Sequence, residues 1–270
     1  MTTRWDPEQY LRFRDERSRP FADLLARVAH PGPREVVDLG CGPGTTTATL
    51  LQRWPRAHVV GIDSSSAMIE RAAAVAVPGR LEFRAGDLRD WKPEAPPDVV
   101  LSAATLQWVP GHEDLIPSLV ASLAPAGVFA FQVPGNFDQP SHALLRDLAS
   151  TPRWHDLLGG LGRPDPVLHP RRYLGILLAT GAEADVWETT YLHVLTGDNA
   201  VLEWVRATAL RPFLAAIDDA VRSGDEPAGA TTEFLDACSA ALREAYPPDA
   251  RGRTVLPFRR IFAVAHVAGA

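Results

Sequence analysis

Five short apolar runs in the first half of the chain alternate with segments of helical periodicity. The runs are nearly continuous in Val, Ile, Leu and Phe, which is typical of strands covered on both faces. Two longer runs rich in Val, Thr, Tyr and Phe follow in the second half and predict two more strands. The seven predicted strands are 36–38, 58–63, 81–84, 98–104, 127–133, 184–195 and 255–267. This alternation predicts an α/β fold with a doubly wound, mostly parallel seven-stranded sheet.

Helical periodicity marks most of the remaining chain and suggests three parts. Residues 1–30 predict an N-terminal helical arm, with one helix from Pro7 to Arg19 and a second starting at Arg19-Pro20. Residues 31–135 predict the α/β core, and residues 136–270 the half that selects the substrate. A helical lid at about 198–246 is expected over the ends of the parallel strands, where ligands bind in such sheets. Within the core and the second half the predicted helices are 45–53, 65–76, 112–124, 198–222 and 231–246.

The first predicted strand runs into VVDLGCGPG at residues 36–44, where Asp38 is followed by Gly40, Gly42 and Gly44. Glycines after a buried strand let bare backbone approach a ligand closely. The spacing G-x-G-x-G differs from the G-x-G-x-x-G of dinucleotide sites. Asp38 would also repel a pyrophosphate, so the motif favours a ligand that carries positive charge.

Two further carboxylates end the next two predicted strands, Asp63 after HVVGI and Asp87 after LEFRAG. Asp63 stands where a carboxylate accepts the two hydroxyls of a ribose. Asp87 could accept the amino group of an adenine. Either residue could instead cap the helix that follows it. Taken with Asp38, the three acidic residues predict a site for a positively charged nucleoside.

The motifs DLGCGPG, GIDSS, GDL and SAATLQW, in this order, resemble those of class I S-adenosylmethionine-dependent methyltransferases. Within that superfamily the chain resembles the trans-aconitate methyltransferases through ERSRP (16–20), LQWVP (106–110), WETTYLH (187–193) and ATALRPF (207–213). The resemblance implies S-adenosylmethionine as cofactor, S-adenosylhomocysteine as product, and no metal. The cofactor residues that it implies are Asp38, Gly40, Cys41, Gly42, Gly44, Asp63, Ser64, Met68, Asp87, Leu88 and Ala103.

The resemblance further implies a monomethyl ester of trans-aconitate, or of a closely related tricarboxylic acid, as the product. A carboxylic acid with a pKa of about 4 is already ionised at neutral pH, so no general base is required. Arginine binds carboxylates through paired hydrogen bonds, which favours arginines near the site. The expected substrate residues are Arg17, Gln107, Trp108, Tyr191, Arg211 and Arg260, with Gln107 and Trp108 positioning the acceptor.

Several alternatives remain open from the sequence. Trp108 could pack at the end of the sheet instead of lining the substrate site, and either Arg259 or Arg260 could face inward. Another small acceptor is possible, and a hydroxyl acceptor would need a base such as His193 or His112. A nicotinamide-dependent oxidoreductase is disfavoured by the glycine spacing, and a non-catalytic protein that binds the cofactor is the third class.

The amino-acid composition limits the kinds of molecule and compartment that the protein is expected to encounter. A net charge of −6 over 270 residues, without a long basic run, argues against nucleic acid or an anionic membrane. The N-terminal segment has charges throughout and lacks the apolar core of a signal peptide. Cys41 and Cys238 are too few for a disulfide framework and favour the cytoplasm. We expect a small-molecule substrate and a monomer or weak homodimer.

Overall fold

The computed structural model describes residues 14–162, 167–206 and 208–269, with side chains from residue 18 onward. Seven strands form a single sheet, as the sequence predicts. The strands are β1 (Glu35–Leu39), β2 (His58–Asp63), β3 (Leu81–Ala85), β4 (Val99–Ala103), β5 (Val128–Pro134), β6 (Glu183–Thr196) and β7 (Arg253–His266). The helices are α1 (Arg14–Arg27), α2 (Leu50–Arg53), α3 (Ser66–Ala72), α4 (Ile116–Ala121), α5 (Pro140–Ala149), α6 (His155–Leu158), α7 (Pro170–Ala179), α8 (Ala200–Arg206), α9 (Arg211–Ser223) and α10 (Ala230–Ala245).

The sheet has the order β3-β2-β1-β4-β5-β7-β6. Strands β1 to β5 pair in parallel, and β7 pairs antiparallel to β5. The chain moves outward from β1 to β2 and β3, then returns to the other side of β1 with β4. This reversal makes β1 and β4 neighbours at the point where ligands bind in doubly wound sheets. The mostly parallel seven-stranded α/β fold is therefore confirmed.

Strand burial agrees with the sequence pattern. In β5 the first six residues are all buried, as expected for a strand covered on both faces. In β6, an edge strand, buried and exposed positions alternate from Tyr191 to Thr196. The difference explains why β5 is apolar apart from Gln132, whereas β6 mixes apolar and polar residues.

The N-terminal prediction was wrong at its boundary. Residues 1–13 lie outside the described part, but α1 continues through Pro20, so no helix ends at Arg19 and none begins there. Proline inside a helix removes one backbone hydrogen bond. Phe21 and Leu24, which follow it on α1, are almost fully buried. Their burial favours continuation of the helix at the expense of that bond.

The predicted helix 45–53 is also shorter and more irregular than expected. A 3-10 turn covers Thr47–Thr49, and only Leu50–Arg53 is α-helical. The β-branched threonines at the start of this segment are poor helix formers. Leu50 is fully buried, whereas Leu51 is only half-buried.

The described chain forms two compact units, each assembled from separate stretches. The first, here called the glycine-loop unit, contains residues 17–134, 167–189 and 260–269. The second, the helical unit, contains residues 14–16, 135–162, 190–206 and 208–259. Residues 167–189 and 260–269, which the sequence pattern placed in the substrate half, thus cluster with the glycine loop. The expected arm and lid roles stay predictions.

Each unit has its own apolar core. The core of the glycine-loop unit is centred on the parallel strands and includes Leu39, Val100, Phe129 and Phe131. The core of the helical unit is built from helix faces and includes Trp154, Phe213 and Phe234. Burying a side chain of this size stabilises a fold by about 1.5–3 kcal/mol. Two such cores allow each unit to hold its own loops in place.

Candidate functional site

The glycine loop after β1 is fixed to the end of β2 by backbone hydrogen bonds. The amides of Gly40 and Cys41 both donate to the Ile62 carbonyl oxygen, at 2.7 and 3.0 Å. The amide of Gly42 donates to Oδ2 of Asp63 at 2.9 Å, and the amide of Ser65 donates to Oδ1 at the same distance. The loop and the end of β2 therefore form one rigid element.

Gly44 and Gly42 are required for different reasons. Gly44 has a φ of +75°, and a Cβ on it would approach the Phe83 ring to 2.5 Å. Gly42 has a φ of +56°, but a Cβ there would meet no protein atom within 4 Å. The space beside Gly42 is open, as a loop that receives a ligand requires.

Asp38 is the buried carboxylate of the site. Its side chain is 2% exposed, and Oδ2 accepts a 2.6 Å hydrogen bond from the Thr47 hydroxyl. Oδ1 has no hydrogen-bond partner among the residues that the structure describes. Burial raises the pKa of Asp38 to about 6, the Thr47 bond opposes this rise, and the nearby Asp63 adds to it. A buried carboxylate with an unpartnered oxygen calls for a cationic hydrogen-bond donor.

Asp63 also fits a ligand at this loop. Its two oxygens each accept one backbone hydrogen bond, from Gly42 and from Ser65, whereas the cap of the following helix α3 is Ser65 and not Asp63. A carboxylate offers about four acceptor positions, which leaves Asp63 capacity for two ligand hydroxyls. The acid pair Asp38 and Asp63, beside an open glycine, suits the positively charged nucleoside that the sequence implied.

Asp87 has a strong partner of its own. The Arg89 guanidinium bonds both carboxylate oxygens, and the backbone amide of Arg89 donates to Oδ1 at 2.9 Å. These bonds lower the pKa of Asp87 to about 2. The carboxylate is thus ionised and held in a turn, while its contact with an adenine amino group remains a prediction.

Of the other expected cofactor residues, Met68 lies on α3, whereas Ser64, Leu88 and Ala103 lie at or shortly after the ends of β2, β3 and β4. Leu88 is buried, Met68 and Ala103 are half-buried, and Ser64 is exposed. Cys41 is buried, and burial together with Asp38 and Asp63 raises the pKa of its thiol, so it stays protonated. Their contacts with a cofactor stay predictions.

The segment after β4 is held in an unusual backbone conformation. Ala104 has a φ of +55°, which is uncommon outside glycine and marks strain at functional sites. Its amide donates to the Gln132 carbonyl oxygen at 2.8 Å, and its own carbonyl accepts from the Gln107 side-chain amide at 2.5 Å. These bonds fix Gln107, which is buried.

Trp108 is far more exposed to solvent than the adjacent Gln107. Its side chain is 67% exposed, so it does not serve as a packing residue at the sheet end in this structure. A large exposed indole beside a buried, bonded Gln107 is suited to contact a ligand. Its substrate role remains a prediction.

His112 has no free ring nitrogen to act as a base. Nδ1 lies 3.2 Å from the Val109 carbonyl oxygen, which can only accept, so Nδ1 carries the proton. Nε2 then accepts from the Tyr173 hydroxyl at 2.7 Å. The Tyr173 oxygen in turn accepts from the Leu168 amide at 3.1 Å. His112 is thus a structural histidine that ties α7 to the segment after β4.

Two of the expected substrate residues belong to the helical unit. Tyr191 is buried and stacks on His193, with ring centroids 6.3 Å apart. His193 stacks on Trp204 at 4.7 Å, so it is a packed aromatic-like residue and not an exposed base. Arg211 is half-buried at the first position of α9.

The neighbouring residues Arg259 and Arg260 in β7 differ in burial and in their hydrogen-bond partners. Arg260 is buried and donates from Nη1 to Oε1 of Gln132 at 2.9 Å. Arg259 is half-buried and donates from Nε to the Gly135 carbonyl oxygen at 2.6 Å. Arg260 is therefore the inward-facing member of the pair. The side chain of Arg17 lies outside the described part.

Sequence reasoning missed three side chains that shape the loop. Thr47 bonds Asp38, Phe83 fills the space above Gly44, and the Thr105 hydroxyl donates to the Gly40 carbonyl oxygen at 3.3 Å. Thr47 stands among three other threonines between residues 45 and 49, so no sequence signal singles it out. Phe83 reads only as a core residue of β3.

The described residues contain neither a cluster suited to a metal ion nor a helix suited to span a membrane. Within residues 14–162, 167–206 and 208–269, no cluster of three or more His, Cys, Asp or Glu side chains could hold a metal ion. None of the helices in those same ranges is long and apolar enough to cross a bilayer.

Comparison with solved structures supports the fold. The chain resembles the YcgJ protein from Bacillus subtilis with a TM-score of 0.56 and 12% identity, over 93% of this chain and 98% of that one. It resembles the [4+2]-cyclase SpnF with a TM-score of 0.54 and 16% identity, over 94% and 81% of the two chains. The second protein is a cyclase by name, so the fold by itself does not fix the reaction.

Comparison with other sequences is more specific. Residues 36–127 match the family model described as a methyltransferase domain. A trans-aconitate 2-methyltransferase from Streptomyces avermitilis is 52% identical over 97% of this chain and 96% of its own length. One from Methylobacterium radiotolerans is 45% identical over 98% of both chains. With such identity over nearly the whole length, the chain belongs to the trans-aconitate 2-methyltransferase family.

Proposed function

We propose that this protein transfers a methyl group from S-adenosylmethionine to a carboxylate oxygen of trans-aconitate, which yields a monomethyl ester. The observation that carries the proposal is the near full-length similarity to relatives that bear this name. The glycine loop supports the cofactor independently, because it combines open space at Gly42 with the unpartnered buried oxygen of Asp38.

Each of the three acidic residues binds a different part of the cofactor. Asp38 accepts from the cationic end through Oδ1, Asp63 accepts the ribose hydroxyls, and Asp87 accepts the adenine amino group. When bound, S-adenosylmethionine supplies a methyl group on a positively charged sulfur. The remaining residues at the strand ends provide close contact along the nucleoside: Gly40, Cys41, Gly42, Gly44, Ser64, Met68, Leu88 and Ala103.

The acceptor needs orientation and charge neutralisation but no proton removal. A carboxylate is ionised at neutral pH, so its oxygen is already a nucleophile. The bonding of His112 supports this, because both of its ring nitrogens are engaged in the folded protein. Holding the two reacting groups in line, away from water, accounts for the main rate advantage.

Arginine is the residue type that binds a tricarboxylate with defined geometry. Each guanidinium can donate two parallel hydrogen bonds to one carboxylate. In this proposal Arg17, Arg211 and Arg260 bind the acid, and Tyr191 adds a donor. Gln107 and Trp108 position the acceptor beside the methyl group.

The cytoplasm is the compartment that fits best. Both cysteines are free and buried, which suits a reducing environment. The net charge of −6 supports a small-molecule substrate over nucleic acid.

Steady-state methyl transfer with a panel of acids tests the proposal. The panel contains trans-aconitate, saturated tricarboxylic acids, dicarboxylic acids of similar size and a hydroxyl compound without a carboxylate. We expect kcat/KM for trans-aconitate to exceed that for each dicarboxylic acid by at least about tenfold, because one carboxylate–arginine contact is lost with each missing carboxylate. Transfer to a hydroxyl compound, with none to any acid, would overturn it.

A further inference from the structure

Asn136 is a buried side chain whose polar atoms are both unpartnered. The residue is 1% exposed, and neither Oδ1 nor Nδ2 has a hydrogen-bond partner among the described residues. Its backbone carbonyl accepts from the Gln139 amide at 3.1 Å. Buried amide side chains are almost always hydrogen-bonded. Two unpartnered atoms on one buried side chain indicate a ligand group that completes them.

The backbone next to Asn136 is firmly held. The Gly135 amide donates to the Arg259 carbonyl oxygen at 2.9 Å, and the Arg259 guanidinium donates back to the Gly135 carbonyl at 2.6 Å. These paired bonds fix the backbone of the residue that precedes Asn136.

Asn136 follows closely after a parallel strand in the chain. It is the second residue after Pro134, the last residue of β5. Ligands of doubly wound sheets bind beyond the carboxyl ends of the parallel strands. A residue that directly follows such an end is a natural candidate for a contact with a ligand.

The charged side chain next to this turn favours an anion. Arg259 belongs to the same unit as Asn136, and its guanidinium donates to the carbonyl oxygen of Gly135, the residue before Asn136. The acidic neighbour, Asp138, is exposed and accepts from the Gln139 side chain. A carboxylate can only accept hydrogen bonds, so it would take the side-chain NH2 of Asn136, and a water brought with it would donate to Oδ1.

We propose that Asn136 binds a carboxylate of the acid acceptor through its side-chain NH2 and thereby contributes to acceptor selection. The inference rests on the proposed function, because it takes the acceptor to be trans-aconitate. It adds a neutral donor to the arginines, and a neutral amide discriminates by geometry more than by charge.

Asn199 provides a matched control in the same unit. It is the other of the two asparagines in the chain, and its Oδ1 accepts from the Ser239 hydroxyl at 2.7 Å. Asn136→Asp and Asn199→Asp each replace an amide by a carboxylate of equal size. At residue 199 the acceptor role is preserved, whereas at residue 136 the donor is lost and a repelling charge takes its place.

Calorimetry on protein loaded with S-adenosylhomocysteine measures the effect directly. We expect Asn136→Asp to raise the Kd of trans-aconitate roughly 10- to 100-fold. Binding of S-adenosylhomocysteine should change less than twofold, and Asn199→Asp should leave both values unchanged. If the wild-type protein binds trans-aconitate and Asn136→Asp binds it with the same Kd, the inference about Asn136 is wrong. The proposed function would be unaffected by that result.

A second variant separates binding from structural support. Asn136→Leu removes both unpartnered atoms at similar volume, so thermal stability should be unchanged or higher while the Kd of trans-aconitate rises. If Asn136→Leu instead melts at a lower temperature and binds trans-aconitate with an unchanged Kd, the amide has a structural role, with its hydrogen bonds made to internal water. That result would overturn the inference. If wild-type protein neither binds nor methylates trans-aconitate, the proposed function fails and the inference fails with it.

Discussion

At the scale of single residues, Asp38 links stability to binding. Burial raises its pKa to about 6 from an ordinary value of 3.8. Between these values the folded protein holds the proton more tightly than the unfolded chain, so stability falls as pH rises through this window. Above about pH 6 the ionised carboxylate costs the ligand-free fold on the order of 3 kcal/mol. A bound cation offsets that cost.

The first prediction concerns the pH dependence of cofactor binding. A cationic ligand needs ionised Asp38, so the affinity for S-adenosylmethionine should fall as pH is lowered from 7 to 5, approaching tenfold per pH unit below about pH 6. Asp38→Asn should bind at least about tenfold more weakly at pH 7.5, lose most of this pH dependence, and melt at a higher temperature without ligand. Calorimetric titration and thermal melts measure these effects.

The exposed residue Asp185, which pairs with Arg27 at the surface, provides the control. Asp185→Asn should leave cofactor binding and its pH dependence unchanged. A wild-type affinity that is constant from pH 7 to pH 5 contradicts the assignment of Asp38 to the cationic end.

The identities of the functional residues were predictable only in part. Asp38 and the three glycines stand out because a strand, an acid and closely spaced glycines occur together. Thr47 and Asn136 do not, because their importance depends on what lies next to them after folding. Thr47 is one of several threonines, and Asn136 is marked only by its unpartnered burial.

At the scale of elements, the open space beside Gly42 provides a second prediction. Gly42→Ala should lower the free energy of unfolding by about 1–2 kcal/mol because its φ is positive. The added methyl group should also enter the space of the cofactor and weaken S-adenosylmethionine binding at least about tenfold. Denaturant unfolding and calorimetry give the two quantities.

Gly79 is a matched control in the same unit. It has a φ of +70°, and a Cβ on it would likewise meet no atom within 4 Å. Gly79→Ala should therefore lose similar stability and keep the wild-type affinity. Equal affinities for the two variants would show that the space beside Gly42 does not receive the cofactor.

Elements with strong apolar patterns were predictable, and irregular ones were not. Strands β1 to β5 follow from short, largely apolar runs, and β6 and β7 follow from longer runs rich in Val, Thr, Tyr and Phe. The helix through Pro20 was missed because its packing, and not its local propensity, decides its continuation. The 3-10 turn at Thr47–Thr49 was missed for a related reason, since periodicity does not distinguish 3-10 from α geometry over three residues.

At the scale of the whole molecule, the two units are each assembled from distant stretches of the chain. Linear boundaries drawn from the sequence could not anticipate this, because β6 and β7 each continue from one unit into the other. The expectation of methyl-transfer chemistry came from motifs spread along the chain. The similarity to relatives over nearly the full length supports it at the same scale.

The most direct test of the account is the fate of a labelled methyl group. The protein is incubated with S-adenosylmethionine labelled at the methyl group and with trans-aconitate, and the acid fraction is analysed by mass spectrometry before and after mild alkali. The account predicts trans-aconitate that carries one labelled methyl group, released as methanol by alkali because it is an ester. An acid fraction without label, or a label that resists alkali, would contradict transfer to a carboxylate.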